Sequence, residues 1–249
     1  MPEKIRNTEF PQSLTGDGWF IPTDYVLMKR RFRNDVMRLY AAPLARGSKV
    51  LDLNAGTDGL GPEFRAAGHD YSALEQNPLL RQVLREQGVP VAEWRPPRIP
   101  RESSSIDLVL SFAFLEHLPT WISAMEMLLE IKRVLAPAGR FLVVAPNGPG
   151  MGSTFWDDYK HGWYVSRKRL VEMAGDAGLE VLSSRYSVGW ATLAGGSAGA
   201  ILRVGARSTN TFLNLPVVRR LVESVGLEQL SAKVRKTIFE LVAIELGKL

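Results

Sequence analysis

Residues 49–59, with the sequence KVLDLNAGTDG, constrain the fold of this chain more than any other stretch. An apolar, β-branched run ends at Asp52, and a turn of small residues then leads into EFRAAGH, which is typical of a helix. A strand, a tight turn and a helix in this order build nucleotide sites in α/β folds. Small side chains let a ligand approach the backbone, and the helix N-terminus presents free N–H groups. The dinucleotide fingerprint G-x-G-x-x-G is absent, which disfavours a hydride-transfer domain.

Predicted strands and helices alternate after residue 47, which indicates a parallel sheet with helices on both faces. The predicted strands are 49–53, 70–75, 91–94, 106–111, 140–145, 179–188 and 200–206. The predicted helices between them are 59–67, 78–87, 121–135 and 166–177. We therefore expect a doubly wound, mostly parallel α/β sheet of seven strands in a single domain.

Helical additions are expected on both sides of this core. A helix is predicted at 23–42, and apolar residues at helical spacing predict two amphipathic helices in 216–249. The uncharged run Tyr186–Leu202 is too short and too rich in glycine and serine for a membrane span, and we expect a loop between strands. The expected division is an N-terminal arm at 1–46, a core at 47–207 and C-terminal helices at 208–249.

Composition excludes some kinds of chemistry. The chain has no cysteine, which excludes disulfides, thiolate metal sites and the cysteine nucleophile of cytosine-C5 methyl transfer. The absence of cysteine and of an apolar N-terminal stretch favours a cytoplasmic protein. The net charge of +5 includes KRRFR at 29–33 and a C-terminal set of Arg219, Arg220, Lys233, Arg235 and Lys236. Such groups either attract an anionic partner or form a solvated helix face.

Glu75 ends the second predicted strand, within the sequence YSALEQNP at 71–78. In a doubly wound sheet, an acid at this place faces the crevice and accepts hydrogen bonds from both ribose hydroxyls of a nucleoside. The alternative is a solvated loop acid. Asn77 and Pro78 are expected to start the next helix, because proline is well tolerated in a first turn.

Three segments resemble motifs of class I S-adenosylmethionine-dependent methyltransferases, and of the type-11 family in particular. Residues 49–59 resemble motif I, V-L-D-L-G-C-G-T-G, with Asn54 and Asp58 replacing two glycines and Gly56 retained. Residues 105–147 resemble F-D-x-V-x-x-x-x-x-L-E-H, a helix, R-V-L-K-P-G-G and a strand, through Asp107, Glu116, His117, Arg133, Leu135, Pro137 and Gly139. Residues 156–181 end like F-[ST]-x-x-x-L-x-x-L-L-x-x-A-G-F-x-V, with Ser166 as N-cap. The resemblance covers about residues 45–185.

This resemblance implies S-adenosylmethionine as cofactor and S-adenosylhomocysteine as product. The implied cofactor-binding residues are Asp52, Asn54, Ala55, Gly56, Thr57, Asp58, Gly59, Glu75, Gln76, Asn77, Glu93, Trp94, Ser111, Phe112, Ala113 and His117. Asn54 tolerates a left-handed backbone, so the turn is expected to survive. Asp58 either competes with the cofactor's carboxylate for the helix dipole or bonds its ammonium group. Where relatives hold adenine with an aspartate, this chain offers Glu93, or instead Arg95 or Trp94 stacked on the ring.

Two histidines are the candidate catalytic residues. His161 matches a histidine that family members carry before the N-cap, and it follows Asp157, Asp158 and Tyr159 near the expected acceptor mouth. An imidazole there accepts a hydroxyl proton as the methyl group arrives, unless these residues only cap a lid. His117 is either a second proton acceptor or a structural hydrogen-bonder. No metal is expected, because D-D-x-x-H alone supplies too few ligands.

The expected function is methyl transfer to a small molecule, sugar, lipid or natural product at a hydroxyl oxygen. The expected walls of the acceptor site are the segment 146–165 and Trp19, Phe20, Tyr25, Arg30 and Arg31. Nucleic acid is not expected, because SFAF stands where amino-group methyltransferases of nucleic acids carry N-P-P-[YFW]. One alternative is a non-catalytic binding or scaffold protein with a degenerate cofactor motif. Another alternative is that the C-terminal helices lie on a membrane surface. Packing of these helices on the core, or on a second subunit of a homodimer, is the simpler role.

Overall fold

The structure, a computed structural model, describes residues 23–56, 60–188, 204–205, 208–209, 211–213, 215–225 and 240–248. Its centre is one seven-stranded sheet with the strand order β3-β2-β1-β4-β5-β7-β6. The strands are β1 (Lys49–Leu53), β2 (Asp70–Glu75), β3 (Val91–Glu93), β4 (Ile106–Phe112), β5 (Leu135–Pro146), β6 (Leu179–Val188) and β7 (Glu240–Lys248). All neighbouring strands are parallel except β7, which is antiparallel to both β5 and β6.

Helices connect the parallel strands. The α-helices are α1 (Thr23–Val36), α2 (Gly61–Ala66), α3 (Pro78–Glu86), α4 (Trp121–Val134), α5 (Gly148–Met151), α6 (Arg167–Asp176) and α7 (Pro216–Ser224). A π-helical turn, Met37–Ala41, continues α1, and 3₁₀ turns occupy Leu115–His117 and Gly152–Asp157. None of the helices among the described residues is both long and apolar enough to cross a membrane. The prediction of a doubly wound, mostly parallel, seven-stranded α/β sheet is confirmed.

The sheet is buried on both faces, which explains why its strands are almost continuously apolar. Alternate residues of one strand enter two different hydrophobic clusters. Leu51 and Leu53 of β1 pack on one face with the helices α4 and α6, whereas Val50 packs on the other face with α1 and α2. The alternation follows from the two-residue repeat of a β-strand.

Local sequence signals set the helix starts. Asn77 caps α3, where its side-chain oxygen accepts the N–H of Leu79 at 2.9 Å, and Pro78 follows in the first turn. Ser166 caps α6 by accepting the N–H of Arg169, as the sequence predicts. Side-chain oxygens of this kind satisfy N–H groups that lack a partner inside the helix.

The C-terminal part differs from the prediction. The two amphipathic helices expected in 216–249 are wrong for Glu240–Lys248, which form β7 between β5 and β6. The strand expected at 200–206 is wrong where it is described, because Val204 and Gly205 are helical. The seventh strand is therefore β7. It is buried on both faces, and a short apolar run of that kind has no clear repeat to separate it from a helix.

The start of β5 also differs from the prediction. β5 starts at Leu135, five residues before the predicted start at 140, because the chain becomes extended directly after α4 ends at Val134. The strand predicted at 179–188 is confirmed as β6, and its last residues, Tyr186 to Val188, which the predicted loop also included, pair with β7. The rest of that predicted loop lies outside the described residues.

Candidate functional site

The candidate site lies at the carboxyl ends of β1, β2 and β4. The chain runs from β1 outward to β2 and β3, and then returns to β4 on the other side of β1. This reversal leaves a crevice above the carboxyl ends of the strands, which is where open α/β sheets bind their ligands. Most of the residues predicted to bind the cofactor follow these strand ends.

The turn after β1 has the strained backbone that the sequence predicts. Asn54 has a φ of +57° and Gly56 a φ of +63°, and the N–H of Asn54 donates to the carbonyl of Leu74 at 2.7 Å. The left-handed conformation expected for Asn54 is thereby confirmed. Apart from Gly56 itself and its two chain neighbours, no atom of the described residues lies within 4 Å of the place where a Cβ of Gly56 would be, so the backbone is open there to a ligand. Thr57, Asp58 and Gly59, also predicted to bind the cofactor, lie outside the described residues.

Glu75 holds two loops of the site together. Its side chain, only 1% exposed, accepts the N–H of Gly56 at 3.0 Å and the N–H of Asn77 at 2.9 Å. The alternative of a solvated loop acid is therefore wrong. Each carboxylate oxygen has a second lone pair, and these remain for ribose hydroxyls.

Asp52 is a buried carboxyl group with one free oxygen. The hydroxyl of Tyr71 donates to Oδ2 at 2.6 Å, and Oδ1 has no hydrogen-bond partner among the described residues. Burial raises the pKa of Asp52 from 3.8 to about 7, the Tyr71 hydrogen bond opposes this rise, and the charge of Glu75 adds to it. A cation beside Oδ1 would stabilise the ionised form and lower this pKa.

An ion pair and core packing hold the residues at the end of β3. Glu93 forms an ion pair of 3.1 Å with Arg81, whose guanidinium also donates to the carbonyls of Glu75 and Gln76. The predicted stacking of Trp94 on adenine is corrected, because Trp94 is only 3% exposed and packs against Phe114 with ring centroids 5.4 Å apart. Its indole N–H donates to the carbonyl of Arg98 at 2.7 Å. Trp94 is thus a core residue.

The end of β4 supplies a small polar group and meets the N-terminal arm. Ser111 is fully buried, and its hydroxyl has no partner among the described residues. Ala113 turns the chain with a φ of +49°, and Phe112 lies edge-on against Phe32 of α1 at 5.6 Å. A two-point ion pair between Arg33 and Glu63 joins α1 to α2. The described part of the arm therefore packs against the end of β4 and against α2. Trp19 and Phe20, expected as walls of the acceptor site, lie outside the described residues, and Arg30 and Arg31 are exposed on α1.

The acceptor side brings together groups that are far apart in sequence. Glu116 and His117 follow β4, and the ring of His117 lies 5.2 Å from that of His161 between centroids. The N–H of Gly162 donates to the carbonyl of Glu116 at 2.8 Å, which joins the two segments. Nδ1 of His161 lies 2.6 Å from the carbonyl oxygen of Phe155, and Nδ1 of His117 lies 3.4 Å from that of Lys160.

Burial dominates the electrostatics of this group. It raises the pKa of Glu116 to about 8, with a further contribution from Asp158. It lowers the pKa of His117, and the neighbouring His161 lowers it further. Asp158 and Tyr159 are exposed, and Asp158 accepts the N–H of Lys160 rather than contacting a histidine side chain. Of the described side chains of this group, His161 lies in the site, and Asp158 acts on Glu116 and His117 through its charge.

Sequence reasoning did not find two residues of the site. Tyr71, the partner of Asp52, reads as an ordinary apolar strand position two residues before Ala73. Arg81 reads as a solvated helix residue, yet it is 8% exposed and organises the ends of β2 and β3. The pairing of β1 with β2 brings Tyr71 to Asp52, and the packing of α3 brings Arg81 to the ends of β2 and β3.

A separate cavity of about 730 Å³ lies at the opposite edge of the sheet. It is lined by Arg38 of the π-helical turn, by Arg46 before β1, and by Gly68 and His69 before β2. Because it opens at the amino ends of the strands, it is distinct from the crevice described above.

The family follows from a comparison of sequences. A family model described as a methyltransferase domain matches residues 27–184, more than half of the chain. The chain belongs to the methyltransferase domain family. This confirms the class predicted from the motifs, and members of this class use S-adenosylmethionine as the methyl donor. Among curated proteins, none matches the sequence significantly.

Solved structures of methyltransferases share the fold. Phosphoethanolamine N-methyltransferase 2 of Haemonchus contortus, solved with S-adenosyl-L-methionine, is 15% identical with a TM-score of 0.60, and the match covers 88% of this chain and 52% of that one. A TehB-like methyltransferase from Corynebacterium glutamicum is 17% identical with a TM-score of 0.54, covering 91% and 97% of the two chains. Geranyl diphosphate methyltransferase, solved with GPP and sinefungin, is 14% identical with a TM-score of 0.59, covering 90% and 79%. At these identities the similarity shows the fold alone.

The residues at the crevice of this domain fit S-adenosylmethionine. The cofactor is cationic at its sulfonium and its ammonium, and Asp52 offers a buried, unpartnered carboxylate oxygen. Glu75 retains lone pairs for the ribose, and the open backbone at Gly56 leaves room for the chain of the ligand. When bound, the cofactor supplies a methyl group already activated by positive sulfur.

Proposed function

We propose that the protein transfers a methyl group from S-adenosylmethionine to a hydroxyl oxygen of a small molecule, sugar, lipid or natural product. One observation supports this most. Three side chains at neighbouring strand ends, Asp52, Glu75 and Ser111, are buried at the crevice, and two of them carry polar atoms with no partner among the described residues.

The proposed roles divide the site in two. Asp52 and Glu75 hold the amino-acid end and the ribose of the cofactor, while His117 and His161 meet the acceptor oxygen and its proton. The chain mainly has to align the acceptor with the methyl carbon and sulfur, and orientation of bound reactants is worth roughly 7–11 kcal/mol of barrier.

The acceptor side also supports a partly apolar substrate. Trp156, half-exposed, lies 6.1 Å from Tyr164 between ring centroids, and the fully buried Phe155 contacts the rings of Trp156 and His161 from the core side. Aromatic faces near a polar centre bind the apolar part of a ligand while the polar groups fix its orientation. The named substrates of the solved structures, phosphoethanolamine and geranyl diphosphate, differ from each other, so the acceptor class is inferred from this chain's own residues.

A second candidate, a binding or scaffold protein that has lost turnover, is favoured by the end of β3. The one acid predicted to hold adenine, Glu93, is paired with Arg81, and Trp94 is buried. Weak adenine binding would leave the fold intact without efficient catalysis.

Acceptor-dependent formation of S-adenosylhomocysteine separates the two candidates. The purified protein would be incubated with S-adenosylmethionine and a panel of hydroxylated acceptors, beside the variants Glu75→Gln and Asp70→Asn. Asp70 is exposed at the opposite end of β2, so its variant is the matched control. The proposal expects product from at least one acceptor, lost in Glu75→Gln and retained in Asp70→Asn. Cofactor binding without any product across the panel would favour the scaffold.

A further inference from the structure

Three side chains that can bind a metal converge at the acceptor side. Glu116, His117 and His161 each offer one ligand atom, and these atoms all lie within 4.8 Å of one another. Backbone contacts fix their arrangement. The N–H of Gly162 donates to the carbonyl of Glu116 at 2.8 Å, and the indole of Trp163 donates to that of Leu115 at 2.7 Å.

The carboxyl group of Glu116 is buried with one oxygen unpartnered. Its side chain is 1% exposed, and Oε2 has no hydrogen-bond partner among the described residues. A buried polar oxygen without a partner is costly unless a hydrogen-bond donor or a cation compensates it. A cation at Oε2 would supply that partner and would favour the ionised form of the carboxyl group.

Backbone carbonyls hold one ring nitrogen of each imidazole. Nδ1 of each ring faces a backbone carbonyl, Phe155 for His161 and Lys160 for His117. A carbonyl only accepts hydrogen bonds, so Nδ1 carries the proton and Nε2 keeps a free lone pair. Metal-bound histidines have this same second contact, which fixes the tautomer and the ring.

We propose that Glu116, His117 and His161 bind one divalent first-row transition-metal ion of the zinc type. Two imidazoles and one carboxylate suit zinc better than Mg²⁺ or Ca²⁺, which prefer oxygen ligands. Three protein ligands also leave a coordination position open. Ligand atoms at about 2.1 Å from a tetrahedral ion lie ~3.4 Å apart. A small rotation of the two half-buried histidines would bring the cluster to that spacing.

The open coordination position would let the ion bind the acceptor hydroxyl during the proposed methyl transfer. This role of the ion rests on the proposed function. An acceptor hydroxyl bound to the ion loses its proton to water more readily, because the metal lowers its pKa. The new oxygen–methyl bond then forms as the sulfur–methyl bond breaks, and sulfur keeps the bonding pair. Both histidines act as ligands in this arrangement, so the ion replaces their direct contact with the acceptor oxygen and its proton. The sequence pattern D-D-x-x-H contributes only His161, and the fold adds Glu116 and His117.

Binding of the ion is tested without cofactor or acceptor. Full-length protein, treated with a chelator and dialysed, would be titrated with Zn²⁺ alone by calorimetry, and with Co²⁺ while its visible absorption is recorded. We expect one ion per chain, and Mg²⁺ bound at least about 100-fold more weakly, given the nitrogen ligands. His161→Ala, His117→Ala and Glu116→Gln should each weaken Zn²⁺ binding by on the order of 100-fold.

The third histidine of the chain provides the control. His69 lies before β2, away from the cluster, and His69→Gln should bind Zn²⁺ like the unmodified protein. If Glu116→Gln does not fold, the alanine variants of the half-buried His117 and His161 still test the site. Equal Zn²⁺ affinity in the cluster variants, or no stoichiometric binding, overturns the metal site.

The same preparations would be titrated with S-adenosylmethionine, so that the two proposals fail separately. Zn²⁺ binding without cofactor binding supports the metal site and contradicts the methyl-transfer function. Cofactor binding without Zn²⁺ binding overturns the metal site alone.

Discussion

Asp52→Asn should stabilise the protein at neutral and alkaline pH while weakening its binding of S-adenosylmethionine. Burial raises the pKa of the Asp52 carboxyl from 3.8 to about 7. At about 1.4 kcal/mol per pH unit, that rise corresponds to about 4 kcal/mol. The side chain is 1% exposed, so solvent screening removes little of this energy.

The sign follows from proton linkage. Below the unfolded pKa both states are protonated, and Asp52 costs the fold nothing. Between an unfolded pKa of 3.8 and a folded pKa of about 7, the folded state keeps a proton that the unfolded state has lost. Stability from this group therefore falls as pH rises through that window, and the loss is complete above it. Asparagine removes the loss, so the variant gains up to about 4 kcal/mol at high pH, less the cost of any unpaired amide hydrogens.

Urea unfolding of both proteins from about pH 4 to pH 9 measures the difference. The gain in unfolding free energy should be small at the acidic end and grow through the window, while calorimetry shows weaker cofactor binding. Asp70→Asn, an exposed position on the same strand as Tyr71, should show neither effect. A pH-independent difference between Asp52→Asn and the unmodified protein would refute the reasoning.

Tyr71→Phe removes the hydrogen bond to Asp52 and should lower unfolding free energy by about 1.5–3 kcal/mol above the window, as for hydrogen bonds to charged groups; urea curves indistinguishable at alkaline pH would contradict this. Gly56→Ala places a side chain at a φ of +63° and should cost about 1 kcal/mol and weaken cofactor binding. Gly175→Ala in α6 is its control and should be neutral or stabilising in the same two assays. Phe32→Ala should destabilise by about 3 kcal/mol through the cavity it leaves under the arm, and a urea midpoint like that of the unmodified protein would show that the arm is not packed on the core.

The parallel half of the sheet was predictable because its signals are local. β1 and β2 have the predicted bounds, as does β6 at the other edge of the sheet, and caps such as Ser166 mark the helices between strands. β7 was not predictable in this way, because it pairs with β5 and β6 from a distant part of the chain. Its continuous apolar run resembles the buried face of a helix as much as a strand.

The candidate site likewise has a part that could be predicted from the sequence and a part that could not. Asp52 and Glu75 follow strand ends, and strand ends can be read from the sequence. The proximity of His161 to Glu116 depends on a backbone contact made by Gly162, and no local pattern encodes it. The roles of Tyr71 and Trp94 were not predictable from local sequence either. Strand pairing brings Tyr71 to Asp52, and burial places Trp94 in the core.

The proposed methyl transfer depends on binding of S-adenosylmethionine at the carboxyl ends of β1 and β2. Calorimetric titration of the purified protein with S-adenosylmethionine and S-adenosylhomocysteine measures this binding, with Glu75→Ala and Asp70→Ala as a matched pair. We expect binding of one ligand per chain, lost in Glu75→Ala and unchanged in Asp70→Ala. Absence of binding in the unmodified protein at saturating ligand, or equal binding in both variants, would contradict it.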